Sequence, residues 1–121
     1  MLKNNLQTKI KLSNNFTISN SNKCFIVAEI SANHSGSLNI LKKTMMAAKK
    51  AGANAVKIQT YEADTMTLKV KNKHFLINDE SIWKGQQLYD LYKKAETPFK
   101  WHNEIFSFAK KITYFVFLLR L

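Results

Sequence analysis

The chain has 121 residues, a length that suits one modest domain or a fragment of a larger one. Its hydrophobic content of 45% is ordinary for a globular protein and excludes wholesale disorder. The formal net charge of +11 invites a nucleic-acid partner, but nearly all the basic residues are lysines and Arg120 is the only arginine. Nucleic-acid readers favour the planar fork of arginine, and these lysines are dispersed in short pairs, so we expect no nucleic-acid partner.

The single cysteine, Cys24, permits no internal disulfide, so nothing points to an oxidising compartment. Its position beside Phe25 and Ile26 predicts a small buried hydrophobic side chain. The polar stretch 1–23 does not read as a secretory signal peptide, and the apolar stretch 112–121 is shorter than the roughly 20 residues that span a bilayer. We therefore expect a cytoplasmic protein without membrane contact.

The first 22 residues are rich in Asn, Lys and Ser and alternate only weakly between apolar and polar side chains. This pattern is compatible with a short hairpin or with a loose arm. We take residues 1–22 as this N-terminal arm or hairpin and residues 23–121 as the main domain.

The main domain opens with a strand, a helix and a second strand. Residues 24–30 form a compact apolar run that predicts a strand buried on both faces. A loop of turn-forming residues, 31–37, ends at Ser37, a good N-cap for a helix over 38–51, and Gly52 suits its C-terminal cap. Residues 55–60 then predict a second buried strand. Short connections between these elements predict a parallel βαβ unit of an α/β fold.

The second half of the chain is more irregular. A long excursion covers 61–79, and residues 86–95 carry apolar side chains at helical spacing. An irregular insertion of this length after a strand is usually functional. Thr97 and Pro98 predict an N-cap and first helical position for a helix that ends near Lys111. The apolar run 112–119 leaves two interpretations open, a third strand in the core or an exposed apolar tail.

Charged and polar residues interrupt both predicted strands near their carboxyl ends. Glu29 lies in the first strand, and Lys57 and Gln59 lie two residues apart, hence on one face, in the second. A charge in a buried strand is costly unless it is paired or solvated, and parallel α/β folds bind ligands at this edge. The residues leave two interpretations open. Glu29 and Lys57 form a structural ion pair, or they contact a phosphate or carboxylate of a substrate.

The loop after the first strand holds Asn33 and His34. It is either a substrate-binding loop or a turn with local hydrogen bonds, and we expect the histidine of such a loop to be exposed. No partner histidine lies nearby at metal-ligand spacing. Trp101 is predicted to lie in the core, and His102 to contact other residues from a helix face. Three aromatic residues of the second half either pack the excursion back onto the domain or contact a sugar face or another subunit: Trp83, Tyr89 and Tyr92.

Two segments carry a family resemblance. Residues 25–37, from Phe25 through Glu29 and Asn33-His34 to Ser37, resemble the opening motif of the sialic acid synthase family. Residues 51–61, with Lys57-Ile58-Gln59-Thr60-Tyr61, resemble that family's second-strand motif, and the spacing between the two segments also fits. Residues 88–92 and 97–102 look most like the pseudaminic acid branch. The resemblance covers roughly residues 24–111.

The resemblance implies a TIM (β/α)8 barrel followed by a small antifreeze-like domain, assembled as a homodimer. It implies condensation of phosphoenolpyruvate with an N-acetylated amino sugar, with phosphate release and a divalent metal, Mn or Mg. It places Glu29 at the catalytic glutamate facing the sugar and the metal. It places Lys57 and Gln59 at the phosphoenolpyruvate and sugar end, with Asn33 and His34 in the substrate-binding loop.

A barrel needs about 200 or more residues, so the resemblance implies only the N-terminal part of one, ending after about two βα units. The family's metal ligands would then lie beyond residue 121, and we expect the chain alone to be inactive. The apolar run after Lys111 departs from the family pattern, and we interpret it as the result of a frameshift or premature stop. Three alternatives remain. The chain could be a partial barrel that assembles with a separately encoded remainder, part of an N-acetylneuraminate synthase that uses N-acetylmannosamine, or a non-catalytic basic module that binds polyanions.

Overall fold

The computed structural model describes residues 9–13 and 16–120. Five strands and four α-helices follow one another along the described chain: β1 (Ile10–Ser13), β2 (Phe16–Ile18), β3 (Val27–Ser31), α1 (Leu38–Lys50), β4 (Ala55–Thr60), α2 (Ala63–Met66), α3 (Leu88–Ala95), α4 (His102–Lys111) and β5 (Phe115–Arg120). Two short 3-10 turns, Lys73–Phe75 and Phe99–Trp101, lie in the second half.

The first two strands pair antiparallel, so the described part of the predicted arm is a hairpin. Residues 1–8 and 14–15 of that arm lie outside the described residues. The other three strands form a separate parallel sheet in the order β3-β4-β5. The predicted βαβ unit and the third strand are therefore confirmed, with β5 beginning at Phe115 after a short turn.

The first helix begins and ends as its sequence predicts. The Ser37 hydroxyl accepts a hydrogen bond from the backbone N–H of Ile40, which satisfies one of the free donors of the first turn. Gly52 follows the helix with φ of +95°, a conformation that glycine adopts without steric cost. The helix thus ends sharply and returns the chain to β4.

The core lies between the sheet and two helices. Its fully buried members come from β3, α1, β4 and α4 and are Ile30, Leu41, Met45, Val56, Ile58, Ile105 and Ala109. Because strand side chains alternate between faces, the opposite face of the sheet carries Glu29, Lys57, Gln59, Phe117 and Leu119. That face is more open, and Phe117 keeps 40% of its surface exposed.

Three local predictions are wrong. The first strand begins at Val27 and is not buried on both faces, because it lies at the edge of the sheet and its odd-numbered residues face the open side. Cys24 lies before the strand and is exposed, so it is not a core residue. Thr97 does not cap a helix: its hydroxyl lies against His34, and the chain passes through a 3-10 turn before α4 begins at His102.

No helix within residues 9–13 and 16–120 has the length and apolar character needed to cross a membrane.

Candidate functional site at the carboxyl ends of the strands

An ion pair joins the first two strands of the parallel sheet. Glu29 and Lys57 are register partners, and the Lys57 Nζ lies 2.5 Å from Glu29 Oε2. Each side chain keeps 38% of its surface exposed. The two charges predicted from the sequence are therefore brought together, on the open face of the sheet, in a position that water and ligands can reach.

The second carboxylate oxygen of Glu29 is held by the residue that ends the strand. The backbone N–H and the hydroxyl of Ser31 both donate to Glu29 Oε1, each at 3.0 Å. Ser31 adopts a left-handed conformation, with φ of +49°, and the register with β4 shifts between Glu29 and Ser31. This irregular strand end aims the serine back at the carboxylate, so each Glu29 oxygen has its own partner. Ser31 was not among the site residues predicted from the sequence.

Gln59 lies two residues after Lys57 on the same strand and the same face, half-buried. Its backbone register partner is Leu119 of the third strand. The structure thus aligns the three predicted polar residues of the strands, Glu29, Lys57 and Gln59, along one face.

The predicted loop residues Asn33 and His34 separate. Asn33 is exposed, whereas His34 is completely buried, so the expectation of an exposed histidine is wrong. His34 Nε2 lies 2.9 Å from Thr97 Oγ1, and His34 Nδ1 accepts a hydrogen bond from the Gly36 N–H at 3.1 Å. The ring also meets Trp101 edge-on, with centroids 5.3 Å apart. Burial lowers the pKa of His34 below its ordinary value of 6.5.

A cleft of about 490 Å³ opens beside this loop. One wall is formed by residues of the loop between β3 and α1, and the other by Tyr61, by Trp83 and Gln86 of the segment before α3, and by α3 itself. Three aromatic residues line the cleft: Tyr61, Trp83 and Tyr92. The rings of Tyr61 and Tyr92 meet edge-on, with centroids 5.8 Å apart. Burial, together with the nearby Tyr92 and Glu96, raises the pKa of Tyr61. The cleft has the size and aromatic lining of a small-molecule site.

Asn33 and Gln86, which both carry side-chain amides, are among the residues that line this cleft. In residues 9–13 and 16–120, neither amide makes a hydrogen bond to another protein group. Lys94 also lines the cleft. Polar groups without protein partners beside aromatic surface suit a ligand that combines C–H faces with amide or hydroxyl groups.

The remaining singled-out aromatic and histidine residues have structural contacts. Trp101 packs against the core, as predicted. His102 Nε2 lies 2.9 Å from the hydroxyl of Thr60 at the end of β4, which is the predicted contact from a helix face. The Tyr89 hydroxyl lies 3.4 Å from Asp64, which connects α3 to α2. These contacts hold the excursion and the last helix against the sheet.

The donor groups near the site bear on whether it could hold a metal ion. Among residues 9–13 and 16–120, no three or more His, Cys, Asp or Glu side chains cluster closely enough to hold a metal ion. Glu29 has one cationic and one serine partner, and His34 uses both ring nitrogens inside the protein. These residues by themselves do not provide a ligand set for a divalent cation.

The fold and the site define an α/β protein with its polar groups at the carboxyl ends of parallel strands. The profile of the NeuB family matches residues 44–117. The chain therefore belongs to the NeuB family, and the resemblance read from the two motifs is confirmed at the level of the family.

Named relatives agree with this assignment. The chain is 50% identical over 88 residues to pseudaminic acid synthase of Campylobacter jejuni, a match that covers 73% of this chain and 25% of that protein. It is 46% identical over 92 residues to pseudaminic acid synthase of Helicobacter pylori, which covers 76% of this chain and 27% of that protein. The chain thus spans about a quarter of the length of these curated relatives.

A solved structure shares the fold. The N-acetylneuraminic acid (sialic acid) synthetase of Leptospira borgpetersenii, crystallised with citrate, superposes with a TM-score of 0.72 at 27% identity. The superposition covers 95% of this chain and 35% of that chain.

Proposed function

We propose that the chain contributes to a pseudaminic acid synthase. The reaction condenses phosphoenolpyruvate with a 2,4-diacetamido-2,4,6-trideoxy hexose. A bond forms between the methylene carbon of phosphoenolpyruvate and the aldehyde carbon of the sugar, water is taken up, and phosphate leaves. The observation that carries the proposal is the Glu29–Lys57 pair with its Ser31 support, on the open face at the strand ends, in a chain half identical to a pseudaminic acid synthase over 88 residues.

The proposal assigns roles by charge and position. Lys57 offers a cation for the phosphate or carboxylate of phosphoenolpyruvate, with Gln59 beside it as a neutral hydrogen-bonding group. Glu29 is proposed as the catalytic carboxylate near the sugar. Asn33 lines the aromatic cleft, where the acetamido groups of the sugar are proposed to find both an amide partner and ring surface.

The architecture proposed for the whole protein is a (β/α)8 barrel. Three parallel strands with helices on one face form an arc of such a barrel, whose interior would be the face that carries Glu29 and Lys57. The remaining units, the ligands for Mn or Mg, and a homodimer interface would come from sequence that the relatives have and this chain does not span.

A chimera tests the proposal. Residues 24–111 replace the corresponding segment of the Campylobacter jejuni enzyme, and phosphate release is measured with phosphoenolpyruvate and the diacetamido sugar. We expect an active chimera in which Glu29→Gln or Lys57→Met lowers kcat/KM by at least about 100-fold, because a charged group beside the reacting atoms is lost. Glu104→Gln is the matched control, because it breaks a Lys42–Glu104 ion pair elsewhere on the molecule.

Two results would count against the assignment. An inactive but folded chimera would show that the segment does not support this chemistry. A chimera that gains a preference for N-acetylmannosamine would instead assign the segment to an N-acetylneuraminate synthase.

A further inference from the structure

The loop between β3 and α1 has a conformation that needs an anchor. Ser31 and Ser35 both have left-handed backbones, with φ of +49° and +47°. Residues other than glycine adopt this conformation at a cost, which surrounding contacts must offset. Short backbone hydrogen bonds close the loop on itself, among them His34 N–H to the Ala32 carbonyl at 2.7 Å and Ser37 N–H to the His34 carbonyl at 2.8 Å.

The anchor is the buried contact between His34 and Thr97, two residues 63 positions apart in the sequence. Because His34 Nδ1 accepts from the Gly36 N–H, the neutral ring carries its proton on Nε2. That N–H therefore donates to the Thr97 hydroxyl oxygen. One imidazole thus binds its own loop with one nitrogen and the segment before α4 with the other, and neither nitrogen is left for a ligand.

The anchored loop begins at Ser31, the residue whose N–H and hydroxyl both donate to Glu29. A loop released at His34 and Gly36 would let Ser31 relax from its left-handed conformation. The two hydrogen bonds to Glu29 Oε1 depend on that conformation. The contact between His34 and Thr97 is therefore connected to the carboxylate through a short, continuous stretch of backbone.

We infer that His34 and Thr97 form a lock that positions Glu29: they fix the 31–37 loop so that Ser31 orients the carboxylate for the proposed condensation. His34 and Thr97 are thus positioning residues that do not touch substrate. This inference rests on the proposed function for its catalytic consequence, while its structural part concerns this chain alone.

The test in the full 121-residue chain compares Thr97→Val, which removes the hydroxyl, with Thr97→Ser, which keeps it. Amide hydrogen exchange is measured at Gly36 and Ser31, and the Glu29 carboxyl carbon is followed by ¹³C NMR. We expect Thr97→Val to speed exchange at both amides roughly tenfold and to shift the Glu29 resonance, because a buried imidazole N–H loses its acceptor. Thr97→Ser should match the original chain. The Gly52 amide, bonded to Lys49 at the far end of α1, is the internal control and should not change.

The same pair of variants is then placed in the active chimera. We expect Thr97→Val to lower kcat about tenfold and Thr97→Ser to restore it, with the KM for phosphoenolpyruvate unchanged in both, because Glu29 rather than Lys57 loses its support.

The lock would be refuted if Thr97→Val left the Gly36 and Ser31 amides unchanged. It would also be refuted if the serine variant behaved like the valine variant, or if Gly52 exchange accelerated equally, since Thr97 would then serve general packing. If the original chimera is inactive, the proposed function fails, and the exchange and ¹³C results still decide whether the lock exists.

Discussion

Removing either partner of the Glu29–Lys57 pair should cost this protein little stability, although it should cost the proposed enzyme most of its activity. The sequence left two interpretations of this pair open, a structural ion pair and a ligand-binding pair. Glu29→Gln, Lys57→Met and the double variant distinguish them, because the two interpretations differ in how much folding free energy the pair supplies.

The magnitude follows from the geometry. At 2.5 Å in a fully aqueous dielectric, Coulomb attraction amounts to about 1.7 kcal/mol. Restricting two long side chains and screening by salt reduce that value, and exposed pairs typically contribute roughly 0.2–1 kcal/mol. With each side chain 38% exposed, we expect a coupling free energy of about 0.5–1 kcal/mol. The charge that remains in either single variant stays in contact with water, so it does not carry the cost of an unpaired buried charge.

The assay is urea unfolding of the original chain, both single variants and the double variant, analysed as a double-mutant cycle. The exposed Lys84–Glu80 pair, four residues apart in sequence, gives a reference cycle, which should yield a few tenths of a kcal/mol.

A coupling free energy of about 3 kcal/mol or more would refute the reasoning. Such a value would mean that the pair is desolvated in solution and serves the fold, as buried ion pairs do when one partner is removed. A small coupling together with a large loss of kcat/KM in the chimera would assign the pair to ligand binding.

Three further changes test other parts of the structure. Tyr114→Phe should raise the free energy of unfolding by about 1 kcal/mol in urea melts, because the Tyr114 hydroxyl is buried without a hydrogen-bond partner in the described part of the chain; an unchanged or lower stability would contradict this. Ser37→Ala should cost about 1 kcal/mol and Ser37→Asp should not, measured the same way, because only the alanine loses the acceptor for the Ile40 N–H. Burial lowers the pKa of His34 in the folded chain, so on acidification the unfolded chain takes up this proton first. The contribution of His34 to the free energy of unfolding should be fully present above its ordinary pKa of 6.5 and fall as the pH drops below that value, and His34→Gln should flatten this decline in melts at several pH values.

Periodicity and turn chemistry were enough to predict the parallel sheet and its first helix. The apolar alternation of 55–60, the Ser37 cap and the glycine at 52 each act through contacts between near neighbours in the chain, so the sequence contains most of their cause. The Glu29–Lys57 contact was also predictable, since parallel strands joined by one helix bring equivalent positions into register.

The role of Thr97 was not predictable from its local sequence. A threonine before a proline indicates a helix start. Nothing in that local pattern indicates that the Thr97 hydroxyl instead contacts His34, 63 residues away in the sequence. The same long-range contact explains why His34 is buried when loop histidines are usually exposed. The strand predicted at 24–30 is covered on one face only, because it lies at the edge of the sheet. Its position in the sheet depends on the other strands and cannot be derived from its own sequence.

At the amino ends of the strands, three phenylalanines from separate elements meet. Phe16 of the hairpin lies edge-on to Phe25 and Phe115, with ring centroids 5.0 Å and 5.9 Å away, and Phe25 and Phe115 lie 6.2 Å apart. Phe25 precedes β3 and Phe115 begins β5, so the rings bridge the two outer strands of the sheet across β4. The two ends of the sheet therefore differ in which substitutions they tolerate: at the aromatic end, shape and volume restrict substitution, whereas at the polar end charge and hydrogen-bonding geometry do.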